Sequence, residues 1–474
     1  MTDWLRARAR PLLAFVFTFG VLASIAGETL MKPSANNHFV HMASGWLEGR
    51  LHHEGKPPGY CDAKRRRARK CRYHRFDDWA VLKTLELDDG TRVQGYPCRT
   101  QACADARRAE GVETWYLTGQ GWTNLERGSF RRREETWFVS FPPGPAALLL
   151  PFVAVFGLAT PDVLLTAIAA AFLPVVLLGF LDRTRGSEDG KGTTHLLIAL
   201  AVGLGSPACF LGASGSVWFT AQILGALALM AFVSNAWELH RPALAGVCLG
   251  VAVACRPTMA VAVLFFGWEW WRTGRSIPAL VRFVGPVLLI GAALMALNLA
   301  RFEDPFEFGH RFLEIRWQPR IQQYGLFHPR YLGRNLECLL WLMPKQAWPL
   351  RVSLHGTALW LLSPWVLLVV LVRGDFGQKW GLVLTVAALM LPALLYQNSG
   401  QTQPTYRFAM LWLPVLVPLL AHGSAFRFKR ATIALVVLSV LLQSWAAWMF
   451  VRNKGELFVT DPLGWPFEHE FEDV

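Results

Sequence analysis

The chain has 474 residues, 53% of them hydrophobic and only 17% charged, with 21 tryptophans and a formal net charge of +13. Soluble domains carry about 25% charged residues, and here the deficit is concentrated in long apolar runs such as 11–27, 162–181, 218–233, 380–396 and 432–450. Runs of about 17–25 apolar residues match ~30 Å of hydrocarbon, which sets aside a large soluble helical protein. The basic excess comes with no nucleic-acid-binding motif, so it reads as cytoplasmic loop charge and contact with anionic headgroups.

The N-terminus, MTDWLRARARPLLAFVFTFGVLASIAG, places a basic flank before an apolar run that ends in no small-x-small cleavage site. It predicts a retained first helix with Arg6, Arg8 and Arg10 in the cytoplasm. Over residues 37–51, Phe39, Met42, Ala43, Trp46 and Leu47 fall at helical spacing with His38, His41 and Glu48 off the stripe. That pattern predicts an amphipathic helix on the membrane face. Residues 53–136 form a polar insert in which WAVLKTLELDDGTRVQGY predicts two strands around an Asp88-Asp89-Gly90 turn, within a small α+β subdomain.

Cys61, Cys71, Cys98 and Cys103 all lie in the insert, an even number on the side read below as oxidising. Two disulfides are expected, with 61–71 and 98–103 the first choice of pairing. Free thiols and a zinc site are the alternatives, although neither spacing is a close Cys-x2-4-Cys knuckle paired with a second one. Cys209, Cys248 and Cys255 sit in apolar runs as packing residues, and Cys338 has no assigned role.

After FPPGP, residues 146–158 are apolar but span only about 13 residues, a length suited to an interfacial helix rather than a crossing. With that segment non-spanning, the basic loops 182–194, 236–241, 271–278, 373–379 and 423–431 all fall in the cytoplasm. The outer connections 212–215 and 398–405 carry no Lys or Arg, and the turn at 255–256 carries only Arg256. Residues 299–352 resist the rule, lying outside with eight basic residues; long translocated loops obey it poorly. The expected fold is an all-α polytopic membrane protein with about eleven transmembrane helices and a small disulfide-bearing α+β extracytoplasmic insert. Its parts are 1–52 (first span and surface helix), 53–136 (insert), 137–450 (membrane domain) and 451–474 (outer tail), with the N-terminus inside.

In such a chain the informative residues are polar ones where helices meet the outer surface. Arg256 interrupts AGVCLGVAVACRPTMAVAVLFFGW between two short apolar stretches, a depth at which arginine costs several kcal/mol unless paired or hydrated. It reads either as a phosphate ligand or as a snorkelling arginine at a helix end. Arg407, in QTQPTYRFAMLWLP, is placed alike. Asp304 lies in ARFEDPFEFGH, where Pro305 and Gly309 shape a turn, and is either a site acid or a solvated loop acid. Glu28 ends the first span on the same side. The run KRRRARK at 64–70 reads as solvated or headgroup-binding.

Together these segments resemble the multi-spanning glycosyltransferases of the C-type fold, the superfamily of protein O-mannosyltransferases and aminoarabinose transferases. HFVHMASGWLEGRL (38–51) is similar to their first-loop amphipathic helix, and FPPGPAALLLPFVAVFG (141–157) to their Pro-Pro segment with its short surface helix. GVCLGVAVACRPTMAVAV (246–263), ARFEDPFEFGH (300–310) and TYRFAMLWLP (405–414) resemble their R-P-T, F-G-D-P and late Y-R-F elements. The resemblance covers the chain apart from 53–136. It implies transfer of a sugar from a polyprenyl-phosphate-linked donor to an acceptor on the outer face, in a bacterial inner membrane and in contact with membrane lipid. A divalent cation is the one cofactor left open.

Such chemistry needs a base for the acceptor and cations for the departing phosphate. Arg256 and Arg407, with Asp304, match the binding role. The family's first-loop acid is missing, because its place reads Ser34-Ala35-Asn36-Asn37. Glu28, about two turns earlier, is the expected catalytic substitute, with Asp304 approaching from the other loop, or loss of the transferase activity, as the alternatives. The competing functions are a non-catalytic relative that binds a carrier lipid, and a transporter; the latter would favour ionisable residues within the spans and inverted repeats.

Overall fold

The structure is a computed structural model that describes residues 2–58, 78–186, 191–315, 317–346, 350–373, 377, 379–423, 425 and 429–459. Helices of seven or more residues are numbered in chain order. The first are α1 (Thr2–Ala26), α2 (His38–Leu47), α3 (Gln101–Glu110), α4 (Gly144–Phe156) and α5 (Asp162–Arg185). There follow α6 (Lys191–Gly203), α7 (Ala208–Ser214), α8 (Val217–Ala236), α9 (Pro242–Cys255), α10 (Val263–Arg272) and α11 (Ile277–Phe302). The last are α12 (Gln318–Tyr324), α13 (Leu332–Leu340), α14 (Lys379–Leu395), α15 (Leu413–His422) and α16 (Lys429–Arg452). The chain forms two compact units. One takes the described residues of 1–37, 159–291 and 329–459, the other those of 38–158 and 292–328.

The first unit is helical. Among the described residues, α1, α5, α8, α11 and α16 are long and apolar enough to cross a membrane, and α6 with α7 makes a sixth such element bent by 58°. Leu12, Leu13 and Val16 of α1 and Val281, Leu288 and Leu289 of α11 are all more than half exposed. Apolar side chains facing outward from helices this apolar belong in lipid rather than water. These helices mark a membrane protein.

Five or six such helices stand where about eleven were expected, and the reason is local. Arg256 precedes Pro257 and takes an extended conformation, φ −148° and ψ 101°, because the proline ring disfavours helix in the residue before it. So α9 stops at Cys255, and the chain resumes through a 3-10 turn, Pro257–Ala262, into α10. Residues 359–371 likewise form one helical turn and the 3-10 segment Pro364–Leu371. Helices α4, α9, α14 and α15 are apolar but short.

The second unit is built on a five-stranded antiparallel sheet in the order β4-β3-β2-β1-β5, with β1 Trp79–Leu87, β2 Arg92–Pro97, β3 Val112–Leu117, β4 Gly121–Glu126 and β5 Phe130–Val139. The expected hairpin is there, pairing Lys83 with Gly95 and Glu86 with Arg92. Its turn is closed by Gly90 N–H donating to Leu87 O at 2.9 Å, with Gly90 at φ +81°. Leu85, Trp115 and Leu117 form the core of the sheet. Glu113, also buried, is satisfied by Arg107 at 2.8 Å and Arg132 at 2.9 Å.

The unit is larger than the expected insert of 53–136. β5 runs on to Val139, and Tyr96 Oη donates to Leu313 O at 2.7 Å. Lys83 also reaches Glu314 at 3.5 Å. Helix α2 forms as expected and buries Phe39, Met42 and Ala43 of the expected stripe; His38 and Val40 are inside as well, whereas Leu47 is half exposed. His38 was expected off the buried stripe; it stacks near Trp79, ring centroids 4.8 Å apart. Cys98 and Cys103 are disulfide-bonded, with Cα atoms 6.0 Å apart. Cys61, Cys71 and the run 64–70 lie outside the described residues, as does most of 451–474.

Candidate functional site

Asp162 opens α5 and is 3% exposed. Its two carboxylate oxygens accept from Ser34, one from the backbone N–H at 2.6 Å and one from Oγ at 2.5 Å. Two residues on, the Asn36 carbonyl accepts the Val217 N–H at 2.9 Å. The loop after α1 is thereby fastened to the first residues of both α5 and α8. That loop holds the Ser34-Ala35-Asn36-Asn37 stretch that lacks an acid of its own, and α5 supplies one.

The starts of α5 and α8 lie side by side. Thr166 donates to the Asp162 carbonyl at 2.7 Å and shares a hydrogen bond with Thr220 Oγ1 at 2.7 Å. Because a short link at 237–241 returns the chain from α8 to α9, the end of α9 comes back to the start of α8. There Arg256 Nη2 donates to Trp218 O at 2.9 Å. Arg407 arrives from the far side of the sequence and is 6% exposed. Its guanidinium lies over the Phe219 ring at 5.2 Å and the Phe408 ring at 5.5 Å, geometry that suits cation–π attraction. The two arginines thus meet consecutive residues, Trp218 and Phe219, in the first turn of α8.

A rigid loop holds Arg407. Its N–H donates to Gln403 Oε1 at 3.1 Å, and Gln403 Nε2 donates to His355 O at 3.0 Å and Ser399 O at 2.8 Å. Behind it, Arg334 of α13 donates to Gln397 O at 2.5 Å, and Asn335 to Leu394 O and Tyr396 O at 2.9 and 2.8 Å. These hydrogen bonds between buried groups hold the loop in its arrangement.

The other end of the same helices is stitched shut. α5 has 24 residues, about 36 Å of rise, and near its end Asp182 pairs with Arg10 at 3.2 Å and His195 at 2.8 Å. Arg183 donates to Ser234 O near the end of α8. Glu269, fully buried in α10, pairs with Arg272 at 2.8 Å and accepts the Glu238 N–H at 2.7 Å.

Of the residues singled out from sequence, Arg256 and Arg407 are brought together. Glu28 is not part of their cluster: its side chain is 89% exposed and its ion pair is with Lys32 at 3.8 Å. Asp304 belongs to the second unit, where it is half-buried and its carboxylate accepts the Phe306 N–H at 2.9 Å to close the turn. In that same segment Arg301, 5% exposed, donates to Asn298 Oδ1 at 2.8 Å and Val139 O at 3.3 Å. Glu307 accepts the Gly309 N–H at 2.6 Å, and burial pushes its carboxyl above the usual range. The motif ARFEDPFEFGH therefore works in its unit as a clamp. Among the described residues no group of three or more His, Cys, Asp or Glu is placed to hold a metal ion.

Sequence reasoning missed Asp162 and its partner Ser34. A signal was present, since Asp162 is the lone charged residue between Glu135 and Asp182. What the sequence does not carry is the fold that brings it to the first loop. No family model and no curated protein matches the chain.

Proposed function

We propose that the protein is a glycosyltransferase that moves a sugar from a polyprenyl-phosphate-linked donor to an acceptor on the extracytoplasmic face of a bacterial inner membrane. The observation that carries this reading is the meeting of Arg256 and Arg407, 151 positions apart in the sequence, on the first turn of α8 beside Asp162. Two guanidinium groups there suit a phosphate, which they pair with bidentately in a medium of low dielectric. As the sugar–phosphate bond breaks, its electron pair goes to the phosphate oxygen, and the two cations stabilise that charge. The acceptor hydroxyl loses its proton to a carboxylate as its oxygen bonds to the sugar. Asp162 takes that part in place of the exposed Glu28, held in orientation by Ser34.

The resemblance to C-type-fold transferases supports the same reading, and with it we propose about eleven membrane passages, the short and broken apolar helices supplying those beyond the five or six long ones. Transport is disfavoured by the ion pairs that close the opposite end of the helices. A second reading, a carrier-binding protein without transfer, draws on Asp162 itself, because Ser34 occupies both of its oxygens.

The test uses the full chain in lipid nanodiscs with polyprenyl-phosphate sugars extracted from the host membrane, following release of the free carrier. Arg256→Ala and Arg407→Ala should each lower the rate by about 10²–10³, the loss of roughly 2–4 kcal/mol of charge stabilisation, with thermal unfolding unchanged. Asp162→Asn should abolish release while carrier binding persists. Release at the wild-type rate in both arginine variants would reject the proposal, and carrier binding with no release in the wild type would favour the second reading.

A further inference from the structure

The start of α8 has a second peculiarity, at Ser216. This residue sits at φ 94° and ψ 158°, and Gly215 before it at φ 61° and ψ −160°. Both lie in a region of backbone space that glycine occupies almost alone. Gly215 must be glycine for a further reason: a Cβ there would lie 2.9 Å from the Val163 Cα at the start of α5. Nothing steric calls for a side chain at 216, yet the chain carries a serine in that strained conformation.

The hydroxyl is not used for structure. Ser216 is 8% exposed, stands at the N-cap position of a 20-residue helix, and makes no capping hydrogen bond with its side chain. Its Oγ has no hydrogen-bond partner among the described residues. One turn further, fully buried Gln222 also has both amide atoms unpartnered. A buried hydroxyl left without a partner is costly, so a strained serine with an idle donor points to a ligand that receives it. The Val217, Phe219 and Thr220 N–H groups are taken by the Asn36 and Ser216 carbonyls at 2.9, 3.1 and 2.9 Å, but the dipole of the helix start still favours an anion, and both arginines touch this same turn.

We infer that the first turn of α8 is the seat of the phosphate group itself, with Ser216 Oγ donating to it as a third contact beside Arg256 and Arg407. This rests on the phosphate-carrier reading above and adds the residue and the helix end that hold the phosphate. The same chemistry would accept free phosphate, and the experiment separates the two sources.

The full chain in nanodiscs is titrated with farnesyl phosphate, farnesol and inorganic phosphate, for the wild type and for Ser216→Ala, Ser216→Gly and Arg256→Ala. Ser216→Gly relieves the backbone, so it should unfold at or above the wild-type temperature, and misfolding cannot explain its effect. Both serine variants should weaken farnesyl phosphate binding about 10–100-fold, the usual worth of a hydrogen bond to a charged group, and leave farnesol binding unchanged. Wild-type affinity in both serine variants, with loss in Arg256→Ala, would overturn the role of Ser216 and leave the carrier reading standing. Farnesyl phosphate binding no better than farnesol in the wild type would remove both. Inorganic phosphate binding as tightly as farnesyl phosphate, with the same dependence on Ser216, would uphold the seat and assign it to the free ion.

Discussion

Gly400 shows how closely the site depends on single atoms. It sits at φ +88°, and a Cβ there would lie 2.6 Å from Gln403 Oε1 and 2.9 Å from Arg407 Nε. Gln403 Oε1 is the acceptor that holds the Arg407 backbone, so it cannot swing away without freeing that residue. Gly400→Ala is expected to destabilise the protein by about 1–3 kcal/mol through the forced left-handed conformation and to displace the guanidinium from Phe219. Gly333→Ala is the control: it lies within α13 with no atom within 4 Å of the added carbon, and alanine in a helix is favourable. Thermal unfolding should fall for the first variant and hold or rise for the second. Equal unfolding temperatures would show that the 397–407 loop is looser than its hydrogen bonds imply. Arg256 and Arg407 were legible in the sequence because an isolated cation in an apolar run has few uses. Ser216 and Asp162 were not, since the idle hydroxyl and the bound carboxylate exist only once three distant segments meet.

At the scale of elements, the second unit joins α2 to the sheet through a group of aromatic rings around Trp79, the first residue of β1. His38 and His53 lie 4.8 and 5.0 Å from that ring, and His41 lies 5.2 Å from His53. Burial, with the neighbouring His53, lowers the His41 pKa to about 4, and burial lowers that of His53 as well. A histidine whose folded value is depressed takes up fewer protons folded than unfolded. Its contribution is therefore intact above about pH 6.5 and is lost as the pH falls towards 4. The nearby charges are Arg50, which opposes protonation of His53, and Glu54, which favours it. Glu307 acts in the opposite sense, because its raised carboxyl takes up a proton more readily folded than unfolded. A global melting curve would mix the two, so the readout must be local. Protection of the amides in peptides covering 38–47 and 79–82, the exchange rate taken relative to the free-peptide rate at each pH, should fall between pH 7 and 4.5, and His41→Gln should flatten that change. Protection independent of pH would mean the rings do not secure α2.

Elements also mark where sequence reading ran out. The Asp88-Asp89-Gly90 hairpin was legible because its turn residues and alternating strands agree. β4 and β5 were not: GWTNLE and FRRREETWFV carry more polar than apolar residues, and they become strands by pairing with β3 and β1. The apolar runs were legible as membrane segments. The break at Arg256-Pro257 was legible as a turn between two apolar stretches; the bend between α6 and α7 was harder to read, because hydropathy is the same in a straight helix and a bent one.

For the molecule as a whole, the ends of the helices carry the argument about orientation. Asp162, Trp218 and Arg256 share one end of α5, α8 and α9, and the opposite end gathers Arg10, Arg183, Arg185 and Arg272. Short loops rich in Lys and Arg stay in the cytoplasm, so the Asp162 end is expected to face out and the link between α10 and α11 to face in. Two exposed positions test this. Asp88 lies in the hairpin turn of the second unit, and Ser276 lies between α10 and α11. In intact cells a membrane-impermeant maleimide should modify Asp88→Cys, whereas Ser276→Cys should react only after the membrane is opened. The wild type gives the background from the native cysteines, among which Cys209, Cys255 and Cys338 are buried, Cys98 and Cys103 are bonded, and Cys248 is half-buried. The reverse pattern would turn the Asp162, Arg256 and Arg407 cluster towards the cytoplasm, and with it the side on which the proposed donor is used. Modification of both from outside would instead require one more or one fewer crossing between residues 88 and 276, with α4 the first segment to reconsider.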